Sequence, residues 1–137
     1  MKSIRKELII NAPVAKVWAH LIDPARIAGW LMPNTFDPRP GKAFRMDCGT
    51  EGTIEGVVRE IVPLKKLVYS WTSKHLKIET LVTVTLKSEK GKTRLILVHS
   101  GWEALPPSEE GLGAPFDQGW DACLKRLGEQ VSLEGTP

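Results

Sequence analysis

His99 is the side chain in this sequence best suited to chemistry near neutral pH, because an unperturbed imidazole changes its charge between about pH 5 and 8. It shares strand parity with Leu95 and Leu97. A sheet that buries those leucines carries the imidazole inward, where it could orient a ligand's hydroxyl or carbonyl, or serve as acid or base. The alternative is a core histidine satisfied by a backbone partner or by Tyr69. Parity alone does not decide, since Ile96 and Val98 on the other face are equally apolar. Asp47, Glu51, Glu60 and Glu79 are the strand or turn acids that a two-carboxylate mechanism would draw on, but their parities do not converge on one face, and a solvated edge is expected. His20, His75 and His99 come from three separate elements without metal-ligand spacing. Cys48 and Cys123 lie far apart with no C-x-x-C pattern, so they are expected to be buried structural thiols in a reducing compartment. No nucleophile elbow, phosphate loop or dinucleotide fingerprint occurs, and neither a metal nor a cofactor is expected.

A second set of residues suits binding rather than reaction. Phe44, Met46, Trp71, Val84, Leu97, Phe116, Trp120 and Cys123 fall on faces that should meet, with Trp30 and Phe36 at the mouth of the space they enclose. An apolar, aromatic lining of this kind suits an apolar or amphipathic small molecule. The same residues would also fill an ordinary core, because interiors are packed to crystal-like density.

The elements that position these residues are legible from periodicity. Ser3 to Ile10 alternates loosely as a half-buried strand. Pro13 to Ile22 reads as a helix with proline at its first position, and Asp23-Pro24 opens a second short helix toward Trp30. A punctuated loop follows to Pro40. Strands are expected near Lys42–Cys48, Thr53–Val62, Leu67–Thr72, Ile78–Leu86 and Thr93–Gly101, joined by short turns that make the sheet antiparallel. Glu89-Lys90-Gly91-Lys92 is a hairpin turn. Glu103 to Ala114, with its Glu109-Glu110 pair, is a surface loop that serves as a gate or a plain connector. Phe116, Trp120, Cys123, Leu124, Leu127 and Val131 then recur at steps of three and four on one face of a long helix. Asp117 and Asp121 near its start and Lys125 and Arg126 near its end suit the helix dipole. Gly119 inside it suggests a close backbone approach to the sheet or to a ligand.

At 137 residues the chain fits one domain, residues 1–137. Its formal charge of +3 is spread among acids. The nearest cluster, Lys65-Lys66 with Lys74 and Lys77, has no basic helix or stacking motif beside it, so nucleic acid is not an expected partner. No apolar run approaches membrane-spanning length and no apolar segment follows the basic start. A cytoplasmic protein with no membrane partner, monomeric or homodimeric, is expected.

Residues Ile10-Asn11-Ala12-Pro13-Val14-Ala15-Lys16-Val17-Trp18, followed by Asp23-Pro24 and Trp30, resemble the start of START-like proteins of the SRPBCC superfamily. Gly56 to Pro63 with Leu67-Val68-Tyr69-Ser70-Trp71, and Thr93 to Trp102 ahead of Gly119-Trp120, are similar to the branch named for the activator of the heat-shock protein 90 ATPase. The resemblance implies an α+β helix-grip fold, in which a curved antiparallel sheet of about six strands wraps the C-terminal helix and leaves a cavity. It also implies three functions of different class: a binder of a small apolar or amphipathic ligand, a co-chaperone-like module that meets a chaperone, and a cyclase or hydrolase using His99. The first, non-enzymatic reading leads. Its expected ligand contacts are Trp30, Phe36, Phe44, Met46, Trp71, Val84, Leu97, His99, Phe116, Gly119, Trp120 and Cys123.

Overall fold

A computed structural model describes residues 3–47, 52–73, 78–106, 108, 111 and 114–133. Cys48, Glu51, Lys74, His75, Lys77 and the Glu109-Glu110 pair lie outside the described residues. Strand β1 (Ile4–Ile10) is followed by helices α1 (Val14–Ile22) and α2 (Pro24–Trp30). Then come β2 (Ala43–Asp47), β3 (Thr53–Val62), β4 (Lys66–Ser73), β5 (Thr80–Glu89), β6 (Lys92–Ser100) and the long helix α3 (Ala114–Leu133). The strands form one antiparallel sheet in the order β1-β6-β5-β4-β3-β2. This curved sheet gripping a C-terminal helix is the helix-grip architecture expected from the order of elements.

Local chemistry explains the boundaries. Pro13 is the N-cap of α1 in extended backbone (φ −63°, ψ 152°), one position earlier than expected, and offers no side-chain cap. Asp23 does cap α2: its carboxylate accepts from Ala25 N–H at 3.2 Å, with Pro24 just inside. The β5–β6 hairpin turns through Lys90 and Gly91 at φ 52° and 80°, the pair of positive angles that suits the right-handed twist of the flanking strands. Edge strand β2 is partly covered, because Thr35 N–H donates to the Arg45 carbonyl and Asp47 N–H to the Pro33 carbonyl, each at 2.9 Å; such cover blunts edge-to-edge pairing.

The inner face of the sheet carries Ile4, Ile10, Leu67, Tyr69, Trp71, Val82, Val84, Leu95, Leu97 and His99, all buried. Trp120, Leu124, Leu127 and Val131 of α3 close over it, at steps of four, three and four. Lys6 also lies on the inward parity of β1, and its ammonium reaches Asp117 (2.9 Å) and Asp121 (3.0 Å) on the first turns of α3. Those two carboxylates hold the Lys6 ammonium above its ordinary pKa. Because α3 runs on to Leu133, Lys125 and Arg126 sit inside the helix and its last turn has no basic residue, contrary to the dipole argument.

Gly56 is required by close approach. A Cβ there would overlap the Ser70 carbonyl oxygen and come within 2.5 Å of the Phe44 ring. The neighbouring Val57 N–H donates to the Ser70 hydroxyl at 2.8 Å. Gly56→Ala is therefore expected to lower unfolding free energy by about 2 kcal/mol or more, in the range of overpacked cores; chemical denaturation measures it, and a change within about 0.5 kcal/mol would contradict this packing.

Candidate functional site

The inward parity of β6 buries His99 completely, and both of its ring nitrogens are used. Trp120 Nε1–H, from α3, donates to His99 Nδ1 at 3.0 Å. An indole nitrogen can only donate, so Nδ1 carries no hydrogen and Nε2 holds the ring proton. His99 Nε2–H then donates to Thr80 Oγ1 at 2.7 Å, and the Thr80 hydroxyl passes its own hydrogen to the Trp71 carbonyl at 3.0 Å. A continuous relay thus runs from α3 through β6 and β5 to β4. Trp102, on a 3-10 turn (Trp102–Ala104) just beyond β6, adds a bond from its Nε1–H to the His99 carbonyl at 2.9 Å.

Burial pulls the His99 pKa down from 6.5 to about 3. Geometry acts in the same direction, because a proton on Nδ1 would face the Trp120 N–H, donor against donor. In this closed arrangement the imidazole is neutral near pH 7 and has no lone pair or proton left for a substrate.

Aromatic rings surround the relay. His99 lies 4.6 Å from Trp102, 5.4 Å from Trp71, 5.7 Å from Phe116 and 5.9 Å from Trp120, centroid to centroid. Tyr69, Phe44 and Phe36 extend the cluster along β4 and β2 at 5.2–6.4 Å spacings. Edge-to-face and tilted pairs predominate, the arrangement that ring quadrupoles favour. Phe116 and Cys123 are half-buried at the margin, and Arg126 donates to Cys123 Sγ at 3.3 Å. Burial pushes the Cys123 thiol above its ordinary pKa.

Most of the residues expected to line one space do meet: Phe36, Phe44, Trp71, His99, Phe116 and Trp120 join one ring network, while Met46, Val84 and Leu97 are buried in the same core. Three expectations need correction. Among the described residues the rings pack against one another, and a void of about 10 Å³ lies beside Trp30, Phe36, Met46, Tyr69 and Val84. Trp30 and Phe36 are accordingly buried rather than at a mouth, and Trp30 Nε1–H donates to the His20 carbonyl at 2.8 Å. Gly119 is exposed, and a Cβ there would meet nothing within 4 Å, so no close approach explains it. Tyr69 is not the partner of His99, whose two ring nitrogens meet Trp120 and Thr80; the tyrosine ring is buried.

Thr80 and Trp102 were not singled out from the sequence. Thr80 shares parity with Val82 and Val84, which was a usable signal; Trp102 lies past Gly101 (φ 99°), where strand parity ends. A larger groove, about 520 Å³, lies on the outer face at Arg45, Glu55, Thr72 and Glu79. Its charges are already paired, Arg45 with Glu55 and Glu79 with Arg59. Glu60 pairs with Lys66 on the surface, so these acids do not converge. Among the described residues no cluster of His, Cys, Asp or Glu could hold a metal ion, and no helix is long and apolar enough to cross a membrane.

The model of the family described as Activator of Hsp90 ATPase homolog 1-like protein matches residues 11–132. The chain belongs to that family. Among solved structures, MLL2253 from Mesorhizobium loti is 26% identical with a TM-score of 0.89, the match covering 98% of this chain and 100% of the other. CalU16 from Micromonospora echinospora is 27% identical with a TM-score of 0.78, covering 96% and 77%. The Aha1 dimer from Colwellia psychrerythraea, at 16% identity, a TM-score of 0.82 and 99% and 100% coverage, shares the fold. No curated protein matches the chain.

The depressed pKa of His99 has a consequence for stability. The unfolded imidazole binds its proton near pH 6.5 and the folded one only near pH 3. Below 6.5 the unfolded state therefore holds more protons, and the His99 contribution, complete above that pH, is lost as pH falls toward 3. The expected slope is about 1.4 kcal/mol per pH unit within this window. Denaturation at several pH values should show the slope in the native protein and its loss in His99→Gln; equal slopes in both would contradict the assignment.

Proposed function

We propose that this protein is a START-like binder of a small apolar or amphipathic ligand, held between the inner face of β4 and the first turns of α3. The observation that carries the reading is Trp71. Its Nε1–H is buried and has no hydrogen-bond partner, in a cluster whose other indole donors, on Trp102 and Trp120, are satisfied. A buried donor left unpaired costs roughly 1–3 kcal/mol, and a ligand that supplied the acceptor would recover that free energy.

The close ring packing of Trp71 against Phe116 and Trp120 means that a ligand placed there displaces the first turns of α3. The two ends of α3 differ in how they are held. Leu124, Leu127 and Val131 are buried, and Arg126 Nε–H donates to the Trp30 carbonyl of α2 at 3.3 Å. The first turns depend on Trp120, half-buried Phe116 and the Lys6 ion pairs, with exposed Gly119 between them. A helical glycine costs about 1 kcal/mol relative to alanine, so the first turns are the part that yields most readily. The fraction of molecules open sets the apparent affinity.

A panel of fatty acids, sterols and polycyclic aromatic compounds, followed by Trp emission and melting temperature, tests this reading. A ligand present at about a hundredfold excess over its Kd should add about 2.7 kcal/mol of stability, several degrees in Tm, and shift the emission. No change with any member would count against ligand binding. Family membership alone supports the second reading, a chaperone-directed interaction module, and a pull-down in which an Hsp90-type chaperone binds the chain while no panel member does would favour it.

A further inference from the structure

One end of the sheet gathers exposed apolar side chains and unpaired cations. Among the described residues the exposed large apolar side chains are Ile9 (47%), Val62 (36%), Leu64 (41%) and Leu81. The first three stand at the end where the β3–β4 and β5–β6 hairpins turn. Pairing of Lys66 with Thr85, and the bond from Leu86 N–H to the Lys65 carbonyl at 2.8 Å, seat those hairpins side by side, and β1 brings Ile9 opposite Arg94. Residues 60–66 and 87–94 hold six cations, Lys65, Lys66, Lys87, Lys90, Lys92 and Arg94, against two acids, Glu60 and Glu89. Both acids are paired: Glu60 with Lys66 at 3.1 Å, and Glu89, together with Glu7 from β1, with Arg94. Lys65, Lys87, Lys90 and Lys92 are exposed and form no salt bridge with a described residue, Lys87 acting on Glu89 only at longer range. With Glu7 included, the surplus of cations in these residues equals the +3 of the whole chain.

Leu64 is the unusual residue. Lys65 N–H donates to the Val62 carbonyl at 2.9 Å, which makes a turn with Pro63 and Leu64 at its centre, and Leu64 takes φ 68°. Such a turn suits proline first and glycine or asparagine second. A leucine in the second position bears backbone strain and gains no burial in return, so fold stability does not account for it. Aliphatic side chains among lysines fit the boundary between lipid headgroups and acyl chains, where the apolar groups enter and the ammonium groups meet phosphates. Nucleic acid fits less well, because these aliphatic side chains offer no stacking surface. The expectation of no membrane partner rested on spanning length, which a surface-bound protein does not need.

We propose that the paired hairpin tips dock this protein on an anionic phospholipid surface, with Leu64 entering the headgroup–acyl boundary and Lys65, Lys87, Lys90 and Lys92 meeting lipid phosphates. The tips lie where β6 starts, at the opposite end of that strand from α3, so the docking surface is separate from the ligand site proposed above.

Vesicle flotation tests the docking surface. Phosphatidylcholine vesicles containing about one-third phosphatidylglycerol should carry the protein at low salt, vesicles of phosphatidylcholine alone should not, and added salt should weaken the binding. Lys90→Gln combined with Lys92→Gln should weaken it by about twenty- to thirtyfold, roughly fivefold for each lysine. Leu64→Gly relieves the left-handed backbone, so it should melt within a few degrees of the native chain yet bind about tenfold more weakly. Equal binding to both vesicle types, flotation with neither, or anionic-vesicle binding that survives either the lysine substitutions or Leu64→Gly would overturn the proposal. Capture by a DNA duplex or by polyglutamate, at the same salt and without vesicle binding, would also overturn it and assign the patch to nucleic acid or to an acidic protein.

Discussion

The hydrogen bond from Trp120 Nε1–H to His99 Nδ1, 3.0 Å long, is the contact on which the rest of the interior depends. It joins the long helix to the sheet and fixes which ring nitrogen carries the proton. Through that choice it sets the direction of every later bond in the relay, to Thr80 and on to the Trp71 carbonyl. A buried imidazole with both nitrogens matched can stay neutral at little cost; with one partner removed it becomes an unsatisfied polar group in an apolar core. The relay thus makes His99 a structural keystone while the helix is seated, and withholds it from acid–base chemistry in that state.

The aromatic cluster around the relay combines tight packing with one unmatched donor. Its ring pairs stand at 4.6–6.4 Å, centroid to centroid. Natural interiors rarely leave a buried N–H unpaired, which makes Trp71 an exception that calls for a reason. The construction of α3 supplies a physical route to that reason. Its second half is anchored by a continuous apolar stripe, and its first half by two aromatic side chains and two exposed carboxylates on Lys6. Gly119, where a Cβ would meet open space, weakens the helix at the point where the anchoring is thinnest.

Much of this arrangement could be read in the residue pattern, because burial on a sheet face follows parity and burial on a helix follows steps of three and four. Leu67, Tyr69 and Trp71 on one face, His99 beside Leu97, and the Trp120 to Val131 stripe are all cases of that rule. What parity cannot report is partnership across elements. Thr80 and Trp120 are far from His99 in sequence, and only the register between β5 and β6 and the seating of α3 bring them to its two nitrogens. Lys6 follows the inward parity of β1 yet ends in an ion pair, since its long stem lets the charge reach the rim. Gly119 was misread for a related reason: a glycine in a helix signals either close approach or tolerated weakness, and only the surroundings distinguish them.

The most direct test of the keystone role of His99 is a long-range nitrogen–proton correlation spectrum of its imidazole, recorded as pH is lowered from about 7 to 5. The relay requires a protonated Nε2 and an unprotonated Nδ1 throughout, with no titration in that range. A ring protonated at Nδ1, or one that titrates near its ordinary 6.5, would contradict it.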